Sequence, residues 1–176
     1  GRLDLVKIDP EEVTAIQALI VRAAQAGEPL ISRPVLEGFY AKAVYPLYFL
    51  DYETYSSAIP LVEGARPQSP IPFQFSLHVK RTADDDALQH FEFLAEEAAM
   101  PAALVEHLAQ HIGEIGSIVS WHASFENTQN LNMANLYPDS AEFLKSLIDR
   151  ALDLEDLFKD GYVDIRFRGS TSIKKV

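Results

Sequence analysis

The run Tyr48-Phe-Leu-Asp-Tyr-Glu-Thr54 ends an apolar stretch with two carboxylates, Asp51 and Glu53. Residues 44–50 are almost all apolar, which predicts a β-strand buried on both faces. Side chains two residues apart on a strand share a face, and their Cα atoms lie roughly 6.6 Å apart. Two carboxylates side by side at the end of a core strand repel each other. A hard divalent cation such as Mg²⁺ or Mn²⁺ would remove that cost. A strand that simply ends in polar residues fits the motif equally well.

The composition is that of an ordinary globular protein. The 176 residues suffice for one domain with a core, and the absence of cysteine excludes a disulfide framework and a thiolate zinc site. No apolar run reaches the ~18 residues of a membrane helix, and the N-terminus is not a signal peptide. We therefore expect a cytoplasmic protein without a membrane partner. Because the first residue is Gly1 rather than Met, we also expect a fragment or a processed product.

The chain is acidic, with a formal net charge of −11. This charge argues against a broad, non-specific nucleic-acid-binding surface. It does not exclude a nuclease, because metal ions in a site offset local negative charge.

The N-terminal part is predicted to be helical. Asp9 followed by proline is typical of a helix start, and Gly27 of a helix stop, so the pattern predicts a helix over residues 11–27. A second helix is predicted over residues 34–43. We interpret residues 1–44 as an N-terminal helical extension or linker.

Residues 45–176 are predicted to form one α/β domain. Four prolines place a long loop at residues 56–72. The order of elements is β-β-β-α-β-α-α, which predicts a mixed sheet that begins with a three-strand meander and has flanking helices. The predicted strands are 47–52, 73–80, 88–94 and 117–122; the predicted helices are 101–112, 125–136 and 140–151; a short fifth element covers 152–158.

A second polar motif, Ser120-Trp-His-Ala-Ser-Phe-Glu126, lies where the fourth strand gives way to a helix. Open α/β sheets bind their ligands at such turns. Glu126 is predicted in the first helical turn, where an acid is common for structural reasons alone. Its pairing with Asp51 and Glu53 favours a metal site.

These motifs resemble those of the DEDD exonucleases of the ribonuclease-H-like superfamily. Asp51 and Glu53 match the Asp-x-Glu that ends the first strand in those enzymes. The segment from His122 to Glu126 matches the spacing and the Phe of their Asn-x-x-Phe-Asp motif. It departs from it twice, with His in place of Asn and Glu in place of Asp.

More closely, the chain from about residue 29 resembles an uncharacterised bacterial domain family of that superfamily, which is often joined to an upstream RecB-like nuclease module. In that family Glu126 is the usual residue, and Asp153 corresponds to an acidic position near the site rather than to the last ligand. The third motif lies further downstream, so we expect a domain truncated before it. The matching phrases are Tyr45–Thr54, Ile71–His78, Ser124–Glu126, Leu152–Leu154 and Gly169–Val176.

The resemblance implies a ribonuclease-H-like fold and metal-dependent 3′–5′ exonuclease chemistry on a single-stranded nucleic acid 3′ end. It implies that Asp51, Glu53 and Glu126 hold two Mg²⁺ or Mn²⁺ ions and that His122 orients a ligand or the attacking water. The 176-residue piece itself is expected to be inactive or weak. The alternative is a non-catalytic, nuclease-like module that binds or positions a partner nuclease, which the acidic charge and the missing third motif favour.

Two further groups of residues have open interpretations. Gln74, Ser76 and His78 share one predicted strand face, which either lines a substrate channel or is simply exposed. His107 and His111 have the i, i+4 spacing of a metal pair on a helix, but they lack the accompanying Glu and are predicted to be surface residues. Glycoside hydrolysis fits less well, because it needs an acid and a base at a set separation.

Overall fold

The structure is a computed structural model that describes residues 4–176, so residues 1–3 of the predicted N-terminal extension lie outside the described residues. The described residues group into two compact units. One contains residues 4–42 and 154–176, and the other contains Ala43–Asp153. The division into residues 1–44 and 45–176 stays a prediction.

Five helices and seven strands form the regular structure of the described residues. Short 3₁₀ turns and one π-helical turn, Leu157–Gly161, connect several of them. In chain order the elements are α1 (Ala15–Ala26), β1 (Leu30–Ile31), α2 (Arg33–Tyr40), β2 (Leu47–Tyr55), β3 (Ile71–Lys80), β4 (Gln89–Leu94), α3 (Ala102–Ala109), β5 (Ser117–Ser120), α4 (Ser124–Leu136), α5 (Ala141–Asp149), β6 (Ala151–Asp153) and β7 (Tyr162–Val163).

Helix α1 begins later than the sequence predicts. Asp9 caps only a short 3₁₀ turn, whereas Thr14 and Gln17 form a capping box that starts the helix at Ala15. Gly27 ends it as predicted, in the left-handed conformation with φ of 73°. In the same unit β1 pairs antiparallel with β7, a two-stranded ribbon that the sequence analysis does not predict.

The second unit contains a five-stranded mixed sheet in the order β4-β3-β2-β5-β6. Strands β2, β3 and β4 form an antiparallel meander, while β2 with β5 and β5 with β6 run parallel. Helices α3, α4 and α5 contribute to the same core as the sheet. The predicted α/β fold, with a mixed sheet led by three meandering strands and flanked by helices, is confirmed.

Burial along β2 alternates, so the prediction of a strand buried on both faces is wrong. Tyr48, Leu50 and Tyr52 point into the core, whereas Asp51 and Glu53 are exposed. The helices of this unit pack against the face that carries the even-numbered residues. The strand also extends three residues beyond its predicted end, because it pairs with the start of β3 past a bulge. The two carboxylates therefore lie within the strand.

Several elements after the meander end earlier than predicted, whereas α4 begins one residue earlier than predicted and ends at the predicted Leu136. Strand β5 ends at Ser120 rather than at His122, and α5 ends at Asp149 because the chain then enters β6. The predicted element 152–158 is divided between β6 and the π-helical turn. Among the described residues, no helix combines the length and apolar character needed to cross a membrane.

A glycine sets the start of β5 against the start of β2. Gly116 has φ of 103°, and a Cβ atom there would overlap the carbonyl oxygen of Pro46. Directly after it, Ser117 donates from its backbone N–H to the same carbonyl and accepts a hydrogen bond on its Oγ from the backbone of Val44. From this start β2 and β5 pair in parallel, so their carboxyl ends point to the same edge of the sheet.

Candidate metal centre

The first part of the candidate site lies on β2. Asp51 and Glu53 point to the same face of the sheet, as their spacing predicts, and lie opposite Ser76 and Gln74 of β3. Partial burial and the neighbouring charge of Glu53 raise the pKa of the Asp51 carboxyl. The pair therefore carries the electrostatic cost that a bound cation would remove.

The turn between β5 and α4 forms the second part. His122 has φ of 61°, in the left-handed region, which few residues other than Gly, Asn, Asp and His occupy. Its backbone N–H donates a 2.9 Å hydrogen bond to Oδ1 of Asp153, which ends the neighbouring strand β6. This bond stabilises the sharp change of direction from strand to helix.

Glu126 lies in the first turn of α4, as predicted, but it is buried to an extent that the sequence does not indicate. It is 4% exposed, and within the described part of the chain its Oε2 atom has no hydrogen-bond partner. Burial raises the pKa of its carboxyl to about 7, with the nearby charges of Asp51 and Asp153 adding to the effect. His122 and a backbone hydrogen bond act in the opposite direction. The charges of Asp51 and His122 therefore act on Glu126, but among the described residues Asp51, Glu53 and Glu126 are not a group whose ligand atoms all lie within 4.8 Å of one another.

The helix face that carries Glu126 continues as a buried polar row. Gln129 and Asn130 are 1% and 0% exposed, and Oδ1 of Asn130 accepts a 2.8 Å hydrogen bond from the hydroxyl of Tyr52. Oε1 of Gln129 and Nδ2 of Asn130 have no partner among the described residues. Buried polar atoms without partners are uncommon and expensive. The sequence signal was available, since polar residues follow Glu126 at i+3 and i+4, where core residues are usually apolar.

Tyr52→Phe tests this buried polar row. Removing the hydroxyl leaves Asn130 buried without the hydrogen bond to its Oδ1, so we expect a loss of about 1–3 kcal/mol in the free energy of unfolding. Urea denaturation of the wild-type and variant proteins would measure it. Tyr40→Phe is the matched control, because that side chain is exposed. Equal stability of the Tyr52 variant and the wild type would contradict the assigned hydrogen bond.

The sheet face beside Asp51 carries the predicted row Gln74, Ser76 and His78, which are half-buried. The imidazole of His78 stacks on that of His90 with centroids 4.3 Å apart, and the Oγ of Ser76 lies 3.2 Å from Nε2 of His90. The row therefore presents aromatic and polar groups next to the carboxylates.

His107 on α3 and His111 in the turn after it are packed against aromatic rings, whereas the sequence predicts surface residues. The ring of His111 stacks on Phe91 at 4.1 Å, and the ring of His107 lies 5.6 Å from that of Phe93. Both histidines are half-buried against these aromatic rings, so they act as packing residues.

The left-handed backbone of His122 leads to a second stability prediction. At a positive φ, an alanine pays a steric cost that glycine does not, of about 1–2 kcal/mol. We therefore expect His122→Gly to be at least as stable as His122→Ala, although glycine ordinarily destabilises a folded chain by its greater entropy. Thermal unfolding of both variants would measure the order. A clearly more stable alanine variant would contradict the left-handed conformation.

The residues of the site fit a hard divalent cation. Asp51, Glu53 and Glu126 offer the oxygen ligands that Mg²⁺ and Mn²⁺ prefer, and the unpartnered Oε2 of Glu126 is a buried acceptor without a donor. Asp153, which the sequence analysis placed only near the site, is coupled to Glu126 as well. The arrangement can hold positive charge at the carboxyl edge of the sheet.

Residues 48–172 match the family described as Domain of unknown function (DUF2779). The chain belongs to this family. It is also 31% identical over 139 residues to "Uncharacterized protein MG366" of Mycoplasma genitalium, an alignment that covers 73% of this chain and 21% of that protein. The chain thus spans about a fifth of the length of the curated relative that it matches. No solved structure matches this DUF2779 chain.

Proposed function

We propose that this DUF2779 chain carries the metal site of a nuclease that hydrolyses phosphodiester bonds of a nucleic acid, removing nucleotides from a 3′ end. The observation that carries the proposal is the buried carboxylate of Glu126, which lacks a partner for Oε2 and is electrostatically coupled to Asp51. Titratable groups with strongly raised pKa values cluster at functional sites.

The ligands of the proposed site are Asp51, Glu53 and Glu126, and the ions are Mg²⁺ or Mn²⁺. Bound ions of this kind polarise a phosphodiester and offset the negative charge that develops during hydrolysis. In this proposal Asp51 and Glu53 come from β2 and Glu126 from the first turn of α4. His122, at the turn before α4, would orient a ligand or the water.

The position of the site in the fold supports the proposal. In open α/β sheets, ligands bind beyond the carboxyl ends of the strands. Asp51 lies in the second half of the central strand β2, and His122 follows its parallel neighbour β5. A mixed sheet that begins with an antiparallel meander agrees with the proposed ribonuclease-H-like character of the domain.

The proposed substrate is a single strand. The stacked imidazoles of His78 and His90 lie on the face that carries Asp51, and histidine rings are among the surfaces on which unpaired bases stack. Since the chain has a formal net charge of −11, close approach of phosphates depends on the bound cations. As part of this proposal the protein acts in the cytoplasm, where nucleic acids and divalent cations are both present.

The test is digestion of end-labelled single strands by the full-length protein, with Mn²⁺, Mg²⁺ or EDTA present. A 5′-labelled strand should shorten progressively in the presence of Mn²⁺, while a 3′-labelled strand should release its label at once as a mononucleotide. Glu53→Gln should stop both reactions. Glu92→Gln is the matched control, because Glu92 is exposed on β4 of the same sheet. Degradation that persists in EDTA, or in Glu53→Gln, would refute the proposed site.

The second candidate is a non-catalytic module that positions a partner nuclease, such as a RecB-like module in the same polypeptide. The acidic net charge favours it, because nucleic-acid-binding proteins usually carry basic surfaces. In that case the full-length protein would degrade nucleic acid at an undiminished rate after Asp51→Asn and Glu126→Gln.

A further inference from the structure

We infer that the compact unit of residues 4–42 and 154–176 binds one nucleotide of a single-stranded nucleic acid, with the base in an apolar cavity and the phosphates on a cationic strip. The cationic strip is the segment of residues 165–176, which contains four cationic side chains and no carboxylate: Arg166, Arg168, Lys174 and Lys175. This inference deepens the proposed function, because it rests on a nucleic acid as the substrate. It does not involve the carboxylates of the proposed metal centre.

The cavity has a volume of about 270 Å³ and a largely apolar wall. Ile16 and Ile20 of α1 line it together with Phe158 and Phe167, whose ring centroids lie 6.2 Å apart. Small-molecule sites usually measure roughly 300–1,000 Å³, so this cavity suits one small ring system rather than a large cofactor. Because unpaired bases stack on aromatic side chains whatever their sequence, a base is a matching occupant.

The charged residues in the wall of the cavity are Lys159 and Asp164, and each has a partner of opposite charge within the protein. Nζ of Lys159 lies 2.7 Å from Oδ1 of Asp156. Oδ2 of Asp164 accepts a 2.7 Å hydrogen bond from Nε of Arg166. The cavity therefore suits an uncharged group such as a base, and the phosphates require cations outside it.

The cationic strip supplies these cations directly beside the cavity. Residues 169–171 line the cavity, and Arg168 precedes them with φ of 54°. This left-handed conformation is uncommon for arginine, and such local costs cluster at functional sites. The backbone N–H of Lys175 donates a 2.7 Å hydrogen bond to the carbonyl of Ser172. A turn of this kind keeps its end residues within about 7 Å of each other, so Lys174 and Lys175 stay near the cavity.

The side chains of Arg168, Lys174 and Lys175 are exposed, and none of them pairs with a carboxylate in the part of the chain that the structure describes. Contacts of lysine and arginine with phosphates supply affinity for single strands without sequence preference. In a chain with a formal net charge of −11, the strip is a local region of positive charge. The strip thus matches the charge of a phosphate backbone.

The experiment is a fluorescence-anisotropy titration of a labelled oligothymidylate with the chain, in EDTA and over a series of salt concentrations. Lys174→Gln combined with Lys175→Gln should weaken binding about tenfold or more at 0.1 M salt. It should also reduce the slope of log K against log salt by about 1.4, because each phosphate contact of a single strand contributes roughly 0.7. Lys42→Gln combined with Lys145→Gln is the matched control, since it removes the same charge from two exposed positions. Equal weakening by both double variants would overturn the inference.

Phe167→Leu tests the cavity, because it keeps an apolar side chain and removes the ring. Affinity for the strand should fall about fivefold or more without a change in the salt slope, since stacking involves no phosphate. Phe39→Leu is the matched control on α2, where the side chain is also half-buried. Wild-type affinity of Phe167→Leu would show that no base enters the cavity.

A second readout does not depend on any variant folding. In the wild-type protein, bound oligothymidylate should protect Lys174 and Lys175 from chemical acetylation, while Lys42 and Lys145 react as they do in the free protein. Equal acetylation of all four lysines with and without the strand would overturn the inference. Displacement of the strand by an equal nucleotide concentration of thymidine monophosphate would show a site for a free nucleotide and overturn the assignment to a strand.

The outcomes separate the inference from the proposed function. If the Lys174 and Lys175 double variant binds the strand as the wild type does, while the full-length protein degrades strands with Mn²⁺, the inference is wrong and the nuclease proposal survives. If the double variant loses the strand but the full-length protein degrades no nucleic acid, the nucleotide site exists and the proposed function is wrong.

Discussion

Asp51→Asn in the full-length protein is expected to lower the proposed metal-dependent nuclease activity by about 1,000-fold or more, because metal ions supply several kcal/mol of transition-state stabilisation and each 1.4 kcal/mol is tenfold in rate. The substitution should not destabilise the fold. Burial and Glu53 raise the pKa of Asp51, so the ionised carboxylate destabilises the metal-free protein as the pH rises. An uncharged amide at this exposed position should leave stability unchanged or slightly higher above neutral pH.

Initial rates with Mn²⁺ on a labelled single strand would measure the loss of activity. Urea denaturation in EDTA would measure the effect on stability. Glu92→Gln on the same sheet should retain both wild-type activity and stability. Robust Mn²⁺-dependent degradation by Asp51→Asn would show that the active site lies elsewhere. Loss of activity together with unfolding would make the variant uninformative about metal binding, so the denaturation measurement accompanies every rate.

Glu126→Gln is expected to stabilise the metal-free protein at high pH by about 3 kcal/mol. The pKa of the buried Glu126 carboxyl is about 7, against an ordinary 4.5, and each pKa unit corresponds to about 1.4 kcal/mol. The folded state binds the Glu126 proton more tightly than the unfolded state does. The contribution of Glu126 to the free energy of unfolding is therefore fully present below pH 4.5 and is lost as the pH rises through 7. The glutamine variant has no such loss.

The measurement is a pair of urea denaturation series at pH 5 and pH 8, with EDTA and with saturating Mn²⁺. In EDTA the free energy of unfolding of the variant should increase relative to that of the wild type from pH 5 to pH 8. With Mn²⁺ the wild type should regain stability at pH 8, because a ligand that binds only the folded state stabilises that state. The exposed Glu53→Gln should show a much smaller change in EDTA. Parallel pH dependence of the wild type and Glu126→Gln would contradict the burial of a raised-pKa carboxyl.

The sheet and the first carboxylate pair follow from local patterns. Alternation along β3 and the period-two spacing of Asp51 and Glu53 predict the strand and the shared side-chain direction, because side-chain direction on a strand depends only on local geometry. The turn from β5 into α4 is likewise visible as an apolar run followed by polar residues. The apolar run before Asp51 predicts burial on both faces of the strand. It does not indicate that, within this unit, helices cover only one of those faces.

The electrostatic environment of Glu126 could not be predicted from the sequence. An acid in the first helical turn is usually solvated, and only tertiary packing removes this one from water. The coupling to Asp153 depends on β6 lying beside β5, a long-range pairing that three residues do not encode. The two-residue strands β1 and β7 are unpredictable for the same reason, since each has no periodicity of its own.

The strand order has a consequence for how the chain folds during synthesis. The antiparallel partner of β2 is the next strand, β3, and β4 then pairs with β3, so the meander forms between consecutive strands. The parallel neighbour of β2, β5, follows only after α3, and β6 follows only after α4 and α5. Pairings between distant segments are slow because loop closure precedes any gain in contacts. Until then one edge of β2 is an open template for other chains.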